Sequence, residues 1–158
     1  MISKAIQLIN PPSLGVRDRS TPLLGISILQ TNLKKVGFGV ELKDLDIKWA
    51  NSKNFRVLMK RRGYLREAII KKDYDKLYKF ASFVIKPKEI SPKIVGLSVF
   101  SRYQLLPAIA LAYYLKKINK EVYLGGKFLS LINTKKLKED FPFMGKIFTD
   151  QKNFIGWL

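Results

Sequence analysis

Two short segments of the sequence carry the small and hydrogen-bonding residues best suited to hold a ligand. One runs from Ser98 to Gln104 and includes a second serine, and the other is the pair Gly125-Gly126. Consecutive glycines let a ligand approach the backbone without a Cβ in the way, and serine hydroxyls can donate to ring substituents or to a phosphate. These residue types favour ligand binding. The alternative is that Gly125-Gly126 forms only a strand-to-helix turn.

The residue types that are absent restrict the chemistry further, since the sequence has no Cys and no His. Thiolates and imidazoles are the usual ligands of zinc, iron–sulfur clusters and haem, so this chain alone cannot anchor a cysteine-bound cluster. Catalytic triads, cysteine nucleophiles, histidine bases and disulfides are excluded as well. An oxygen-ligated ion such as magnesium remains compatible. Neither GxGxxG after the first predicted strand nor GxxxxGK[ST] occurs, so no dinucleotide fingerprint or P-loop is supported.

Asp44 and Asp46 form the most suggestive pair of carboxylates, at the end of a predicted strand. Because lysines are so abundant here, we expect these aspartates to cap a helix or form ion pairs rather than to act as an acid–base pair. A phosphoacceptor domain of the CheY type would need acidic residues after the first strand. This sequence has Asn10-Pro11-Pro12 there instead.

The elements that must position these residues alternate along the chain. With 158 residues and 47% hydrophobic content, the sequence is sized for one domain, residues 1–158. Apolar patterning predicts strands at 5–10, 40–47, 94–100, 121–124 and 146–149. It predicts helices at about 22–36, 105–119 and 128–140, and a long basic helical insertion at about 51–86.

This alternation predicts an α/β fold, an open five-stranded parallel sheet with helices on both faces and the flavodoxin-like order 2-1-3-4-5. In such sheets, ligands bind outside the carboxyl ends of the strands, at the switch point between the first and third strands. The candidate binding residues therefore follow the strands. They are Asn10, Pro11, Pro12, Ser98, Phe100, Ser101, Gln104, Gly125 and Gly126.

Several of these segments carry a family resemblance, in order, from about residue 4 to residue 150. They are Leu8-Ile9-Asn10-Pro11-Pro12, an arginine-containing loop, Pro22-Leu23-Leu24-Gly25-Ile26, Val36-Gly37-Phe38-Gly39-Val40-Glu41-Leu42, Ile94-Val95-Gly96-Leu97-Ser98-Val99, Gln104 and Val122-Tyr123-Leu124-Gly125-Gly126. Together they resemble the cobalamin-binding domain at the N-terminus of cobalamin-dependent radical S-adenosylmethionine enzymes. The resemblance implies a Rossmann-like domain with cobalamin across the carboxyl edge of its sheet.

The resemblance also implies where the parts of the cofactor would lie. The corrin would face Asn10, Pro11, Pro12 and the loop from Ser98 to Gln104, and the nucleotide tail would approach Ser98 and Gly125-Gly126. Many members of the family bind cobalamin base-off without a histidine ligand, and this sequence offers no histidine. On this placement, Gly126→Val is predicted to obstruct the tail channel while leaving the fold intact.

Two features depart from that family. The CxxxCxxC cluster motif and the barrel domain that follows are missing, so radical chemistry would need a separate partner carrying an iron–sulfur cluster or methyltransferase activity. The segment from Phe148 to Leu158 is apolar and aromatic rather than an acidic linker, which indicates self-capping or docking to that partner. The alternative function is a cofactor-free scaffold or regulatory subunit of the same fold, motivated by the missing histidine and by the bulky residues at 100, 102 and 103.

A second alternative, nucleic-acid binding, is suggested by the charge. Thirty Lys and Arg against twelve Asp and Glu give a formal net charge of +18, with basic clusters at 60–62 and 71–72. A lysine excess spread over every element is more typical of solvated surfaces. No stretch reaches the roughly 18 to 20 apolar residues of a spanning helix, and the start lacks a secretory leader. We therefore expect a cytoplasmic protein with no membrane segment.

Overall fold

The computed structural model describes residues 4–15 and 24–158, which form five strands and seven α-helices. The strands are β1 (Ala5–Asn10), β2 (Gly39–Asp44), β3 (Ile94–Ser98), β4 (Glu121–Gly125) and β5 (Lys146–Phe148). The helices are α1 (Leu24–Lys35), α2 (Leu45–Ala50), α3 (Phe55–Ile70), α4 (Tyr74–Val84), α5 (Arg102–Lys117), α6 (Thr134–Asp140) and α7 (Gln151–Trp157). Short 3-10 turns span Pro87–Glu89, Lys127–Leu131 and Pro142–Met144.

All five strands pair in parallel in the order β2-β1-β3-β4-β5, which confirms the predicted flavodoxin-like topology. The order reverses at β1, where the chain first moves out to β2 and then returns to β3 on the other side. The carboxyl ends of β1 and β3 therefore lie side by side at one edge of the sheet. This switch point is where an open α/β sheet leaves a crevice.

Two apolar layers cover the sheet, one on each face. Ile6, Leu8 and Tyr123 pack with Ile26 and Leu33 of α1 and with the C-terminal helix α7. The other face is larger and is covered by the remaining helices. The sheet contributes Val95, Leu97 and Leu124 to this core. They are covered by helices α2 to α5 and by the 3-10 turns that follow β4 and precede β5. Burial of β3 on both faces explains its continuous apolar sequence.

The helical insertion predicted at about 51–86 is two helices, α3 and α4. They separate at a tight turn in which Lys72 has a positive φ of 51°. The Asp73 carboxylate then caps α4 by accepting from the backbone N–H of Lys76 at 3.1 Å. The apolar stripe of α4 includes Leu77 and Phe80. It lies in the core on this face of the sheet and packs against α5.

Two predicted strands end at least two residues earlier than expected, because side chains cap the backbone at those points. Strand β2 ends at Asp44, whose carboxylate accepts from the N–H of Ile47 at 3.0 Å and begins α2. Strand β3 ends at Ser98, and the N–H groups of Phe100 and Ser101 both donate to the Gln104 side chain. Among the described residues, no helix is both long enough and apolar enough to cross a bilayer.

Glu89, in the turn before β3, binds two lysines at the β2 side of the sheet. Its carboxylate lies 3.5 Å from the Lys43 ammonium and 2.8 Å from that of Lys48, and its backbone carbonyl accepts from Gln7 at 3.1 Å. Burial alone would raise the pKa of Glu89. The bonds from Lys48 and from the N–H of Lys86, with the Lys43 charge, outweigh burial and lower the pKa to about 2.

Glu89→Gln is expected to lower the free energy of unfolding at neutral pH by about 1–3 kcal/mol. The folded-state pKa of about 2 lies below the usual 4.5, so the stabilisation is complete above pH 4.5 and is lost as pH falls through 2. Urea unfolding of both proteins across this range measures the difference. A gap between wild type and variant that stays constant with pH would contradict this assignment.

Candidate functional site

A cavity of about 340 Å³ opens at the carboxyl edge of the sheet, on the face that α1 and α7 cover. Its floor is formed by β1, β3 and β4, and its sides by the first turns of α1 and by the segment that leads from β5 into α7. The residues that line it are Leu8, Gly25, Ile26, Leu29, Gly96, Leu97, Ser98, Phe100, Tyr123, Leu124, Gly125, Gly126, Lys127, Phe148, Thr149, Asp150, Gln151 and Phe154.

The floor of this cavity is open because small residues occupy neighbouring positions of the sheet. Gly96 of β3 stands between Leu8 and Tyr123 in register, and Ser98 stands beside Gly125 one step further along. Alternate residues of a strand share a face, so these positions line one side of the sheet. A Cβ on Gly96 would lie 2.9 Å from Cδ2 of Leu8. Two missing side chains and one small one therefore create the space.

Gly126 has a different role, because its backbone conformation requires glycine. Its φ is +121°, and a Cβ would lie 2.3 Å from the carbonyl oxygen of Val99. That contact is surrounded by backbone hydrogen bonds, from Val99 N–H to Gly125 O at 2.7 Å and from Phe128 N–H to Val99 O at 3.2 Å. The prediction that Gly126→Val leaves the fold intact is therefore wrong: the substitution would force the two loops apart.

Four aromatic residues, Phe100, Tyr123, Phe148 and Phe154, line the cavity together with aliphatic side chains. The ring of Tyr123 lies 5.9 Å from that of Phe154 and 6.3 Å from that of Phe148. The Tyr123 hydroxyl donates to Glu121 at 3.2 Å, two residues back along β4. Burial, followed by the Glu121 carboxylate, raises the pKa of Tyr123 from 10.0 to about 12, still further above physiological pH, where tyrosine is neutral. The wall therefore suits an uncharged, flat group.

The polar side chains at the switch point form a buried network outside this cavity. Gln104 donates through Nε2 to Asn10 Oδ1 at 2.6 Å and to the carbonyl of Pro11 at 2.8 Å. Asn10 donates in turn to Asp44 Oδ1 at 2.9 Å. Both amide side chains are fully buried. The network joins the loops after β1, β2 and β3.

The predicted site residues therefore divide into two groups. Ser98, Phe100, Gly125 and Gly126 line the cavity. Asn10, Pro11, Pro12, Ser101 and Gln104 lie at the same edge of the sheet but do not line it, and all but Ser101 are buried. Phe100 is the most accessible member of either group, with 47% of its surface exposed. The second group supports the loops that carry the first.

The lining residues that sequence reasoning did not select as binding residues come from α1, the strand interiors and the C-terminal segment. Gly96 had a signal, since a glycine inside a buried strand marks a close approach of another group. Leu29 and Phe154 had none, because an apolar helix residue that lines a cavity has the same pattern as one that lies in the core. Only the packing of α1 and α7 on the same sheet face brings them together.

Carboxylates near the edge serve structural roles, as the sequence indicated. Asp44 caps α2, and Asp46 accepts from the N–H of Ser13 at 2.7 Å. Asp150, in the cavity wall, caps α7 by accepting from the N–H of Asn153 at 2.8 Å. Within residues 4–15 and 24–158, no three acidic side chains come together in a way that could hold a metal ion.

Comparison with known proteins gives a structural likeness only. No protein-family model matches the chain, and no curated protein matches its sequence. Among solved structures, the chain is similar to TsrM from Kitasatospora setae, a radical S-adenosylmethionine methyltransferase with cobalamin and a [4Fe-4S] cluster bound. The TM-score is 0.53 at 18% identity, over 89% of this chain and 23% of that chain. This likeness supports the fold.

A second structure of the same enzyme, with tryptophan substrate and the analogue aza-SAM, gives a TM-score of 0.47 at 18% identity. It covers 81% of this chain and 20% of that one. The chain thus spans less than a quarter of the length of the enzyme that it resembles.

The two adjacent glycines are expected to respond differently to alanine. Gly126→Ala should lower the free energy of unfolding by about 2–4 kcal/mol, because it places a Cβ against the Val99 carbonyl at positive φ. Gly125→Ala should cost less than about 1 kcal/mol, since its Cβ would meet only the Phe148 carbonyl oxygen, at 3.5 Å. Urea unfolding compares them, and equal losses would refute the distinction.

Gln104→Ala is expected to destabilise the fold by about 2–4 kcal/mol, because it leaves buried groups of Asn10, Pro11 and Phe100 without their partner. The matched control is Gln30→Ala, since the Gln30 amide makes a single 3.4 Å bond and is partly exposed. That control should cost less than about 1 kcal/mol. Chemical unfolding measures both, and similar losses would show that the network contributes little.

Proposed function

We propose that this chain is a cobalamin-binding module, in which the cavity between α1 and α7 takes the nucleotide tail of the cofactor. The observation that carries the proposal is the position of the cavity. It opens at the carboxyl edge of the sheet, beside the ends of β3 and β4, over a floor cleared by Gly96 and Gly125. The sequence resemblance to cobalamin-binding domains and the fold shared with TsrM, which was solved with cobalamin bound, point to the same ligand.

The chemistry of the lining fits the nucleotide tail. A volume of about 340 Å³ is in the range of small-molecule pockets and admits a flat aromatic base. The neutral rings of Tyr123 and Phe148 offer apolar walls for such a base. Ser98 and the exposed backbone beside Gly125 offer hydrogen bonds to its sugar and phosphate. These residues would bind and orient the tail.

The corrin would lie across the carboxyl edge, above the loops that the Gln104 network holds. Phe100, half-exposed at the mouth of the cavity, would pack against the corrin. Asn10, Pro11, Pro12, Ser101 and Gln104 would form the support beneath it. With its tail held in the cavity, cobalamin would bind base-off, and this chain, which has no histidine, would supply no imidazole to cobalt.

Bound cobalamin would supply the cobalt centre for methyl-transfer or radical chemistry. This chain has no cysteine to hold an iron–sulfur cluster, so its own residues bind and position the cofactor only. We propose that a separate protein, with an iron–sulfur cluster or methyltransferase activity, completes the reaction. The module and that partner would together form a split enzyme.

A cofactor-free scaffold of the same fold is the second candidate, and the C-terminal helix favours it. The ring of Trp157 lies 4.8 Å from that of Tyr123, and Phe154 lines the cavity itself. The chain therefore covers part of the sheet face with its own residues. For a scaffold, a sheet face covered by α7 is sufficient. A cobalamin module also requires that the cavity left beside α7 is accessible to the cofactor.

Retention of hydroxocobalamin on a desalting column separates the two candidates. Wild-type protein is expected to emerge with a stoichiometric, base-off corrin spectrum. Gly125→Val adds a branched side chain to the cavity floor and should lower corrin affinity by about tenfold or more. The matched control is Gly63→Val on α3, whose Cβ meets nothing within 4 Å. It should retain corrin as wild type does.

Each outcome bears on a different part of the proposal. Folded wild-type protein that emerges colourless would overturn the cobalamin function in favour of the scaffold. Corrin retention by Gly125→Val equal to wild type would overturn the placement of the tail. Leu29→Trp, which fills the cavity from α1, tests the same placement if Gly125→Val fails to fold by circular dichroism.

A further inference from the structure

A second concave site lies at the carboxyl edge, on the face of the sheet opposite the cavity. It is a cleft of about 230 Å³ between the loop after β1, helix α3 and the start of α5. It shares no lining residue with the cavity between α1 and α7. The residues that line it are Leu14, Arg62, Arg66, Arg102, Tyr103 and Leu106.

Two of the three cations of this cleft lie against one tyrosine ring. Arg102 places its Cζ 4.8 Å from the centre of the Tyr103 ring, and Arg62 places its Cζ 5.6 Å from it. Arg102 also donates through Nη2 to the Tyr103 hydroxyl at 2.8 Å. The ring is held in turn by Gly15, where a Cβ would lie 2.2 Å from Tyr103 Cδ1. The tyrosine therefore fixes the cleft's geometry.

Among the residues that the structure describes, no negative side chain balances the positive charge of the cleft. No carboxylate among those residues forms an ion pair with Arg62, Arg66 or Arg102. Arg102 is also the first residue of α5, at the positive end of the helix dipole, and the first turn of α5 has no acidic residue. The positive end of a helix dipole repels the charge of Arg102. An anion bound beside Arg102 would offset this repulsion.

The choice of arginine distinguishes this cleft from the general basic surface. The sequence has 7 Arg against 23 Lys, yet all three cations in the cleft are arginines. A guanidinium presents a planar fork that matches phosphate oxygens two at a time, whereas lysine acts as a point charge. A solvated surface of this composition would be expected to place lysines here.

We propose that this cleft binds the phosphate or diphosphate group of a small organic ligand through Arg62, Arg66 and Arg102. The cleft also lies at the start of α5, where the helix dipole favours an anion. The pKa of Tyr103 is lowered by its hydrogen bond from Arg102 and by the charges of Arg102 and Arg62, which agrees with a strongly positive local field. The inference does not rest on cobalamin binding, because the cleft shares no lining residue with the cavity proposed for the nucleotide tail.

Calorimetric titration of the cofactor-free chain with inorganic phosphate and pyrophosphate, at constant ionic strength, tests the proposal. Saturable binding is expected, with pyrophosphate tighter than phosphate. Arg62→Gln/Arg66→Gln and Arg102→Gln should each weaken it by about tenfold or more, and Arg102→Lys by less than Arg102→Gln. The matched control, Lys135→Gln/Lys138→Gln on α6, removes the same charge as the double variant and should leave affinity within about twofold.

Three results would overturn the proposal. The first is pyrophosphate binding that does not saturate, or that falls equally in the control and the arginine variants. Either observation would show that general surface charge, and not the cleft, attracts the anion. Tighter binding of succinate than of pyrophosphate would assign it to carboxylates instead. Binding of a single-stranded oligonucleotide that survives the arginine substitutions, without saturable pyrophosphate binding, would indicate a diffuse nucleic-acid surface.

Discussion

The buried side chain of Gln104 joins the loops on which both concave sites depend. It lies at the switch point of the sheet, donates to the loop after β1 and accepts from the backbone N–H groups of Phe100 and Ser101. A buried amide that lost these partners would be costly, so the network acts only as a complete set. Phe100 on one side and Arg102 on the other keep their positions because Gln104 keeps its own.

The two sites at this edge are made by opposite means. The cavity on the α1 face exists because glycines leave positions of the sheet without side chains. The packing density is lower there, and space remains above the sheet. The cleft on the α3 face is lined by three long, like-charged side chains, two of which lie against the ring of Tyr103. The first suits a flat neutral group and the second an anion, so one edge of the sheet offers two kinds of recognition.

Several acidic residues cap helices or form ion pairs that stabilise the fold. Asp44, Asp73 and Asp150 cap helices, and Glu89 joins the turn before β3 to two lysines. In a chain with only 12 acidic residues against 30 basic ones, this use leaves much of the positive charge without a partner. Attraction of anions to the surface follows from that imbalance, and the geometry of α3 and α5 concentrates it in one cleft.

The sequence by itself determined the fold class and the strand order, and it predicted the carboxyl edge of the sheet as the place for a ligand. These depend on apolar periodicity, on helix and strand alternation and on the right-handed crossover, which are local or general rules. It also selected Ser98, Phe100, Gly125 and Gly126 because they follow parallel strands, and the structure places all four in the cavity wall.

Only the tertiary structure decided how those residues divide their roles. Whether Gln104 faces a ligand or the loop after β1 depends on a partner 94 positions away. The difference between Gly125 and Gly126 depends on where the Val99 carbonyl lies, and no spacing in the sequence encodes that contact. Leu29 lines the same cavity as Phe154, and Arg62 lines the same cleft as Arg102, because of the way their helices pack on the sheet. Contacts of this kind arise from packing, which sequence periodicity cannot specify.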